Sequence, residues 1–177
     1  QGLQAAFSWH LFIYQTEKHM NVSSLQAERL PTDVPLPMDL LLLADETPEA
    51  IFAYLHDSEV WVCRQLQVIV AVACVLVLDA GCVELKNLAV AEGMQGQGIG
   101  GVFIQQLKQH YRATHTQMLV GTADVGWSQQ RFYQSHGFVR VGTRERFFIE
   151  NYPEPIIENG QQLVDMHVFA CDLEDLG

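Results

Sequence analysis

The stretch LAVAEGMQGQGIGG, Leu88 to Gly101, places five glycines in fourteen residues. It falls between an apolar, strand-like run and the helix-like VFIQQLKQHY. Glycines let the main chain approach a bulky anion and turn its N–H groups toward it. A helix N-terminus adds unpaired donors and partial positive charge. Together they can hold a pyrophosphate without a lysine. A Walker A loop needs Lys and a hydroxyl residue after its last glycine, and Gly101, Val102 and Phe103 follow Gly100 instead. The dinucleotide pattern GxGxxG is met by Gly96, Gly98 and Gly101, with Asp124 about where a ribose-binding acid would lie. That fold opens with this unit and continues through several crossovers, whereas hairpin strands precede it here. The pattern Q-x-x-G-x-G, at Gln95, Gly98 and Gly100, fits a pyrophosphate cradle and leaves open whose pyrophosphate it is. A turn that binds nothing is the remaining alternative, and so many glycines make it costly in chain entropy.

The elements that position this turn can be read from patterning. LPTDVPLP, Leu30 to Pro37, is a proline-bearing linker, so a domain is expected over residues 38–177, with 1–37 as an extension. MDLLLLAD reads as a first strand. TPEAIFAYLH reads as a helix with Thr47 as N-cap and Pro48 at its first position. EVWVCRQL, VIVAVACVLVL and CVELKNLAV read as consecutive strands, the last two joined by a tight turn at Asp79 to Gly81. A helix from about Gly98 to Tyr111, the strand QMLVGTAD and a helix WSQQRFYQSHG ending at Gly137 follow. FVRVGTRERFFI reads as a strand, NYPEPIIENGQQ as a loop and LVDMHVFACDL as a final strand. The order predicts a mixed α/β (α+β) fold with helices packed on a mixed sheet.

Composition narrows the function. The 177 residues carry a net charge of −11. That charge repels a phosphate backbone and argues against nucleic acid. It suits a cationic ligand such as an amine, and equally serves solubility. Cys63, Cys74, Cys82 and Cys171 form no CxxC pair, which fits a reducing cytoplasm. The seven histidines show no metal spacing, so no metal is expected. The longest apolar run, Val68 to Leu78, is too short for a membrane helix, and no membrane partner is expected. In residues 1–20, Gln1-Gly2 resembles the remnant of a cleaved tag and His19-Met20 a cloning junction. The alternative is a native amphipathic helix presenting Phe7, Leu11, Ile13 and Tyr14.

LAVAEGMQGQGIGG followed some thirty residues later by RFYQSHGF resembles the GNAT superfamily of acyl-CoA-dependent N-acetyltransferases. The resemblance spans roughly Met38 to Leu173 and extends to small uncharacterised bacterial members. It implies a mostly antiparallel sheet of about seven strands with helices on both faces, and acetyl-CoA as cosubstrate. Main-chain groups of Leu88 and Val90 would pair with the pantetheine arm. Ala89 lies between them. A bulge near Asn87 and Leu88 would splay the strand. Gln95, Gly96, Gln97, Gly98, Ile99, Gly100 and Gly101 would surround the pyrophosphate.

The resemblance also assigns chemistry. Tyr133 matches the general acid that protonates the leaving thiolate; otherwise it is a core aromatic. The Val90 N–H would polarise the thioester oxygen. Glu84 matches the register of a catalytic base. Alternation puts Glu84, Lys86 and Leu88 on one face unless a bulge intervenes, and a surface Glu84–Lys86 pair is the plainer reading. A second base position of the family falls on Gly121, which carries none, and this argues against ribosomal-protein acceptors. Where the family often has Asn, this chain has Gly126, with Asp124 or Ser128 as substitutes. Trp127 reads as a helix-start staple. Tyr152 and Glu154, with Glu158, would border the acceptor site and suit a small-molecule or lysine-like cationic amine. His136 and His167 carry no assigned role. Dimers are common in such folds, so a homodimer is a further expectation. The rival functions are an acyl-CoA-binding module without turnover and a dinucleotide enzyme.

Overall fold

The computed structural model describes residues 22–79 and 81–174; the expectations for Phe7, Leu11, Ile13 and Tyr14 lie outside them. The strands are β1 (Ala27–Arg29), β2 (Ser58–Gln65), β3 (Val68–Val77), β4 (Cys82–Val90), β5 (Gln117–Ala123), β6 (Val139–Arg144), β7 (Ile157–Glu158), β8 (Gln161–Gln162) and β9 (Met166–Asp172). Seven of them form one sheet in the order β1-β2-β3-β4-β5-β9-β6. Only β4 and β5 run parallel in it. The helices are α1 (Met38–Leu41), α2 (Pro48–Leu55), α3 (Ile99–Tyr111), α4 (Trp127–Ser135) and α5 (Phe147–Asn151).

Both faces of the sheet are covered, which is why VIVAVACVLVL reads as continuous apolar sequence rather than alternation. On one face Phe103, Ile104 and Leu107 of α3 pack on Val83, Leu85 and Met118. On the other, Leu41 and Ile51 pack on Val62, Val72 and Cys74. Each such side chain, fully buried, contributes roughly 1.5–3 kcal/mol. Thr47 caps α2 by accepting from the Ala50 N–H at 3.1 Å. Gly137 adopts φ 85°, the left-handed turn that ends α4.

Two local expectations are corrected. MDLLLLAD is not a strand: its first residues form α1, with Leu41 buried and Leu42 and Leu43 exposed. The edge position beside β2 is taken instead by Ala27–Arg29, upstream of the proline linker and of the boundary expected at Met38. The Gln106 side chain holds that segment, accepting from Ala27 N at 2.6 Å and donating to Leu25 O at 2.7 Å. FVRVGTRERFFI is a strand only as far as Arg144; the chain turns at Arg146 (φ 55°) into α5. Asp165 Oδ1 holds this turn by accepting from the Arg146 N–H at 2.8 Å. Within the stretch read as loop, Asn159 (φ 52°) and Gly160 (φ 75°) turn the small hairpin of β7 and β8.

The feature that shapes the site is a bulge in β4. Cys74 pairs with Asn87 and Val75 with Leu85, so Lys86 is the extra residue. It lies one position before the bulge expected at Asn87 and Leu88. An extra residue reverses which face each later side chain takes. Val83 and Leu85 face α3, and beyond the bulge so do Leu88 and Val90. Glu84, Lys86 and Asn87 face α1 and α2. Leu88 therefore does not share a face with Glu84.

Candidate active site

β4 and β5 pair only between Cys82–Leu85 and Gln117–Val120, although both strands run on. Beyond that point β4 has an unpaired side. Ala91 N donates to Val70 O at 2.9 Å. In an antiparallel ladder, successive peptide groups alternate sides. The peptide groups of Ala89 thus face β3, and those of Leu88 and Val90 face the gap toward β5. The Val90 carbonyl already has a partner there, since Gln95 Nε2 donates to it at 2.9 Å.

The gap opens into a cleft of about 1100 Å³ bounded by β4, the glycine turn, α3 and α4. Of the ten residues expected at a cofactor, nine line it: Leu88, Ala89, Val90, Gln95, Gly96, Gly98, Ile99, Gly100 and Gly101. Gln97 is outside the lining; its amide points back to Gly93 O at 3.4 Å. Ala89 belongs to the α1–α2 face while Leu88 and Val90 pack toward α3, so the cleft draws on both faces of the sheet.

The turn has the geometry of an anion cradle. Gly98, the N-cap of α3, has φ 86° and supplies no side-chain cap. The first intrahelical bond is Val102 N to Gly98 O at 3.1 Å, so the N–H groups of Ile99, Gly100 and Gly101 have no partner within the helix. Close packing on α4 requires the last two glycines. A Cβ at Gly100 would lie 3.3 Å from the Phe132 ring, and one at Gly101 only 2.6 Å from His136 Nε2. His136 is anchored by Nδ1 to Phe132 O at 2.7 Å, which leaves Nε2 toward this helix end. Neither Phe132 nor His136 was assigned to the cleft from sequence. The only available signal was the four-residue spacing of Phe132 and His136, which also fits a core stripe.

Tyr133 is buried on α4 and lines the same cleft, with Phe132 and Phe138 edge-on at 5.2 and 5.6 Å. Its hydroxyl has no hydrogen bond to the described residues, and burial pushes its pKa above the ordinary tyrosine value. α4 is tied at both ends. Gln130 Nε2 donates to Ala123 O at 2.8 Å, and the buried Lys108 ammonium donates to His136 O at 2.8 Å. Ser128 lines the cleft near the Gly126 position, whereas Asp124 is spent on Val125 N and Asp165 N. Trp127 is half exposed.

Glu84 is not the surface residue of the plainer reading; it is buried. Its Oε1 accepts from Lys86 Nζ at 3.4 Å and from Arg144 Nη1 at 2.8 Å. Burial alone would raise the carboxyl, but the Arg144 hydrogen bond and the Lys86 charge outweigh it and hold the pKa below the usual carboxylate value. Arg144 also contacts Met166 Sδ at 3.5 Å, and Met166 lies where a side chain on Gly121 would be.

On the same face Asn87 Nδ2 donates to Leu41 O at 3.0 Å and to the Tyr54 hydroxyl at 3.1 Å. The Tyr54 and Tyr152 hydroxyls both donate to Asp45, at 3.3 and 3.0 Å. Burial raises the pKa of both tyrosines, and Asp45 raises them further. Tyr152 thus joins this polar face, while Glu154 is exposed with no hydrogen bond or ion pair among the described residues. Arg144, Asn87, Tyr54 and Asp45 were missed from sequence because they converge from three elements and the α1–α2 loop. No group of three or more His, Cys, Asp or Glu among the described residues is placed to hold a metal. No described helix is long and apolar enough to cross a membrane.

A mixed sheet splayed between its two parallel strands, with a glycine cradle at the mouth, defines a class that comparison with known proteins identifies. The chain belongs to the GNAT family of N-acetyltransferases. The family model for the acetyltransferase (GNAT) domain matches residues 56–140. A GNAT family acetyltransferase from Elizabethkingia anophelis, solved with acetyl-CoA bound, is 34% identical, with a TM-score of 0.81 over 84% of this chain and 97% of that one. A Bacillus subtilis acetyltransferase solved in complex with CoA is 28% identical, with a TM-score of 0.75 over 84% of this chain and 98% of that one. The uncharacterized N-acetyltransferase YvbK of Bacillus subtilis is 29% identical over 155 residues, which is 87% of this chain and all of that protein.

Proposed function

We propose that this chain transfers an acetyl group from acetyl-CoA to a primary amine by direct attack in a ternary complex. The observation that carries the reading is the splay itself: Leu88 and Val90 turn peptide groups into a gap that opens on unpaired amides at Ile99, Gly100 and Gly101. An extended arm can add to β4 there as a further strand, and a diphosphate can sit on the helix end. The glycines leave the room such a ligand needs, since a Cβ at Gly96 or Gly98 would meet nothing within 4 Å. Acetyl-CoA, when bound, supplies an acetyl group activated as a thioester.

The chain's own residues do the rest. The cradle and the β4 edge position the donor, and positioning is a large part of the acceleration. The Val90 N–H faces the gap and can donate to the thioester oxygen. Tyr133 keeps its proton over the working pH range and delivers it to the leaving sulfur. The same apolar surroundings that raise the tyrosine raise the sulfur's basicity, so the two stay matched. Glu84 stays ionised, with Oε2 uncommitted among the described residues, and accepts the amine proton through a water. Its lowered pKa makes it a weak base, so much of the work of supplying a neutral amine falls to pH.

Four free cysteines, with Cys63 and Cys74 pushed up to about 12 by burial, suit the reducing cytoplasm in which we place the protein. Calorimetry with coenzyme A against NAD is the first test. Preference for the dinucleotide, or no binding of either, removes the reading. Thiol release across an amine panel then separates an enzyme from an acyl-CoA-binding module.

A further inference from the structure

On the α1–α2 face of β4, donors and acceptors do not balance. Arg144 has five N–H donors. Among the described residues only Nη1 is used, on Glu84 Oε1 and Met166 Sδ, and about a third of its side chain is exposed. Lys86 spends one proton on the same Oε1. Two cations thus converge on one buried carboxylate, in a chain with 10 basic and 21 acidic residues. The other acid of this face, Asp45, is committed: Oδ1 takes Tyr152 and Glu46 N, and Oδ2 takes Tyr54. What remains uncommitted is a set of charged donors from Arg144 and Lys86, together with two acceptors.

One acceptor is Glu84 Oε2. The other is Asn87 Oδ1, buried and without a partner among the described residues. The orientation of this amide is set by chemistry, because Nδ2 faces the Leu41 carbonyl and a flipped oxygen would be repelled there. Gly121 has no side chain, Met166 fills the space above it, and the guanidinium rests on that sulfur.

We infer that the acceptor amine is a small zwitterion, carrying an anionic group such as a carboxylate a few bonds from its nitrogen, with Arg144 and Lys86 receiving that group and Glu84 the amine. The inference rests on the acetyl-transfer reading and narrows it. A polyamine would present cations to two cations that share a single carboxylate, whereas a zwitterion meets both the spare donors of Arg144 and Lys86 and the uncommitted oxygen of Glu84. The acidic loop residue Glu154, expected at the acceptor, takes no part.

The test uses matched acceptors that differ only in the acid group: L-phenylalanine with phenethylamine, and L-lysine with cadaverine. In the thiol-release assay with acetyl-CoA, kcat/KM for the acid-bearing member is expected to exceed that of its partner by tenfold or more. Arg144→Gln is expected to collapse this ratio by raising KM for the acid-bearing member, and Arg144→Lys, which keeps the charge and the Glu84 partner, to restore part of it. Equal or faster turnover of phenethylamine and cadaverine overturns the inference. Thermal shift of the protein with each member reads the preference without turnover, and equal shifts within both pairs overturn it as well. Failure of coenzyme A to bind removes the acetyl-transfer reading instead, and the thermal-shift ranking still decides the acceptor class.

Discussion

The Arg144 guanidinium reaches from β6 across β9 and β5 to hold the Glu84 carboxylate of β4 at 2.8 Å. Between them Met166 fills the space over Gly121, and the guanidinium contacts its sulfur at 3.5 Å. Glu84 is thereby held in one orientation with one oxygen uncommitted. Glu84→Gln leaves Arg144 and Lys86 without their counter-charge, and a buried polar group that loses its partner costs about 1–3 kcal/mol. The expected result is a lower Tm together with a lower kcat/KM, read by thermal unfolding and thiol release. An unchanged Tm would show that the bridge contributes nothing to stability.

Tyr133→Phe keeps the ring that packs against Phe132 and Phe138 and removes only the hydroxyl. The expected outcome is a fall in kcat of about a hundredfold with KM for acetyl-CoA little changed, since general acid catalysis is commonly worth that much or more. Steady-state kinetics checks it, and an undiminished kcat at saturating substrates takes Tyr133 out of the mechanism.

The glycines of the turn are expected to fail for different reasons. Gly98→Ala meets no neighbour within 4 Å, so its penalty is the left-handed backbone at φ 86°, roughly 1–2 kcal/mol. Gly101→Ala has no such backbone strain but drives a methyl against His136 Nε2. Both are expected to weaken coenzyme A binding in calorimetry. Only Gly101→Ala is expected to be relieved by a second change, His136→Ala, which removes the obstructing ring.

Lys108→Met keeps the buried stem and removes the ammonium that donates to His136 O at the end of α4. Loss of a charge-assisted bond at a helix C-terminus predicts a destabilisation of about 2 kcal/mol. Because α4 carries Tyr133, kcat is expected to fall more than KM for acetyl-CoA rises. A Tm loss with unchanged kcat would make Lys108 purely structural.

The pH dependence follows from the signs of two shifts. Glu84 is held below the ordinary carboxylate value, and Tyr133 is raised above the ordinary tyrosine value. Neither changes charge between about pH 6 and 9. kcat/KM is expected to rise across that range with the neutral fraction of the acceptor amine and to show no descending limb. The Glu84 contribution to stability is complete above its unfolded value of 4.5 and is lost as pH falls through the lower folded value. The Tm difference between the wild type and Glu84→Gln is therefore expected to shrink on acidification below pH 4.5.

Much of this fold could be read along the chain because its signals are local. Thr47-Pro48 starts a helix, Gly137 ends one, and a glycine turn between a strand and a helix exposes amides wherever it occurs. Nine of the ten residues expected at the cofactor line one cleft for the same reason: they fall in two short runs, the end of β4 and the glycine turn, which lie close together along the chain. What failed was non-local. A run of leucines at Met38 resembles a strand, but the edge of the sheet is filled from upstream, where Gln106 brackets the backbone of Leu25 and Ala27. Alternation along β4 was legible, yet one extra residue at Lys86 moved Leu88 to the opposite face from Glu84, and a bulge depends on the partner strand. The polar face of β4 at Glu84 and Asn87 was least legible of all. Arg144 lies on β6, Glu84 and Asn87 on β4, Tyr54 on α2 and Asp45 in the loop before α2, and no spacing in the sequence foretells that these side chains meet. Chain order determined the cradle, since its donors belong to one turn; only tertiary packing decided the charge cluster at Glu84, since that depends on which strands lie side by side.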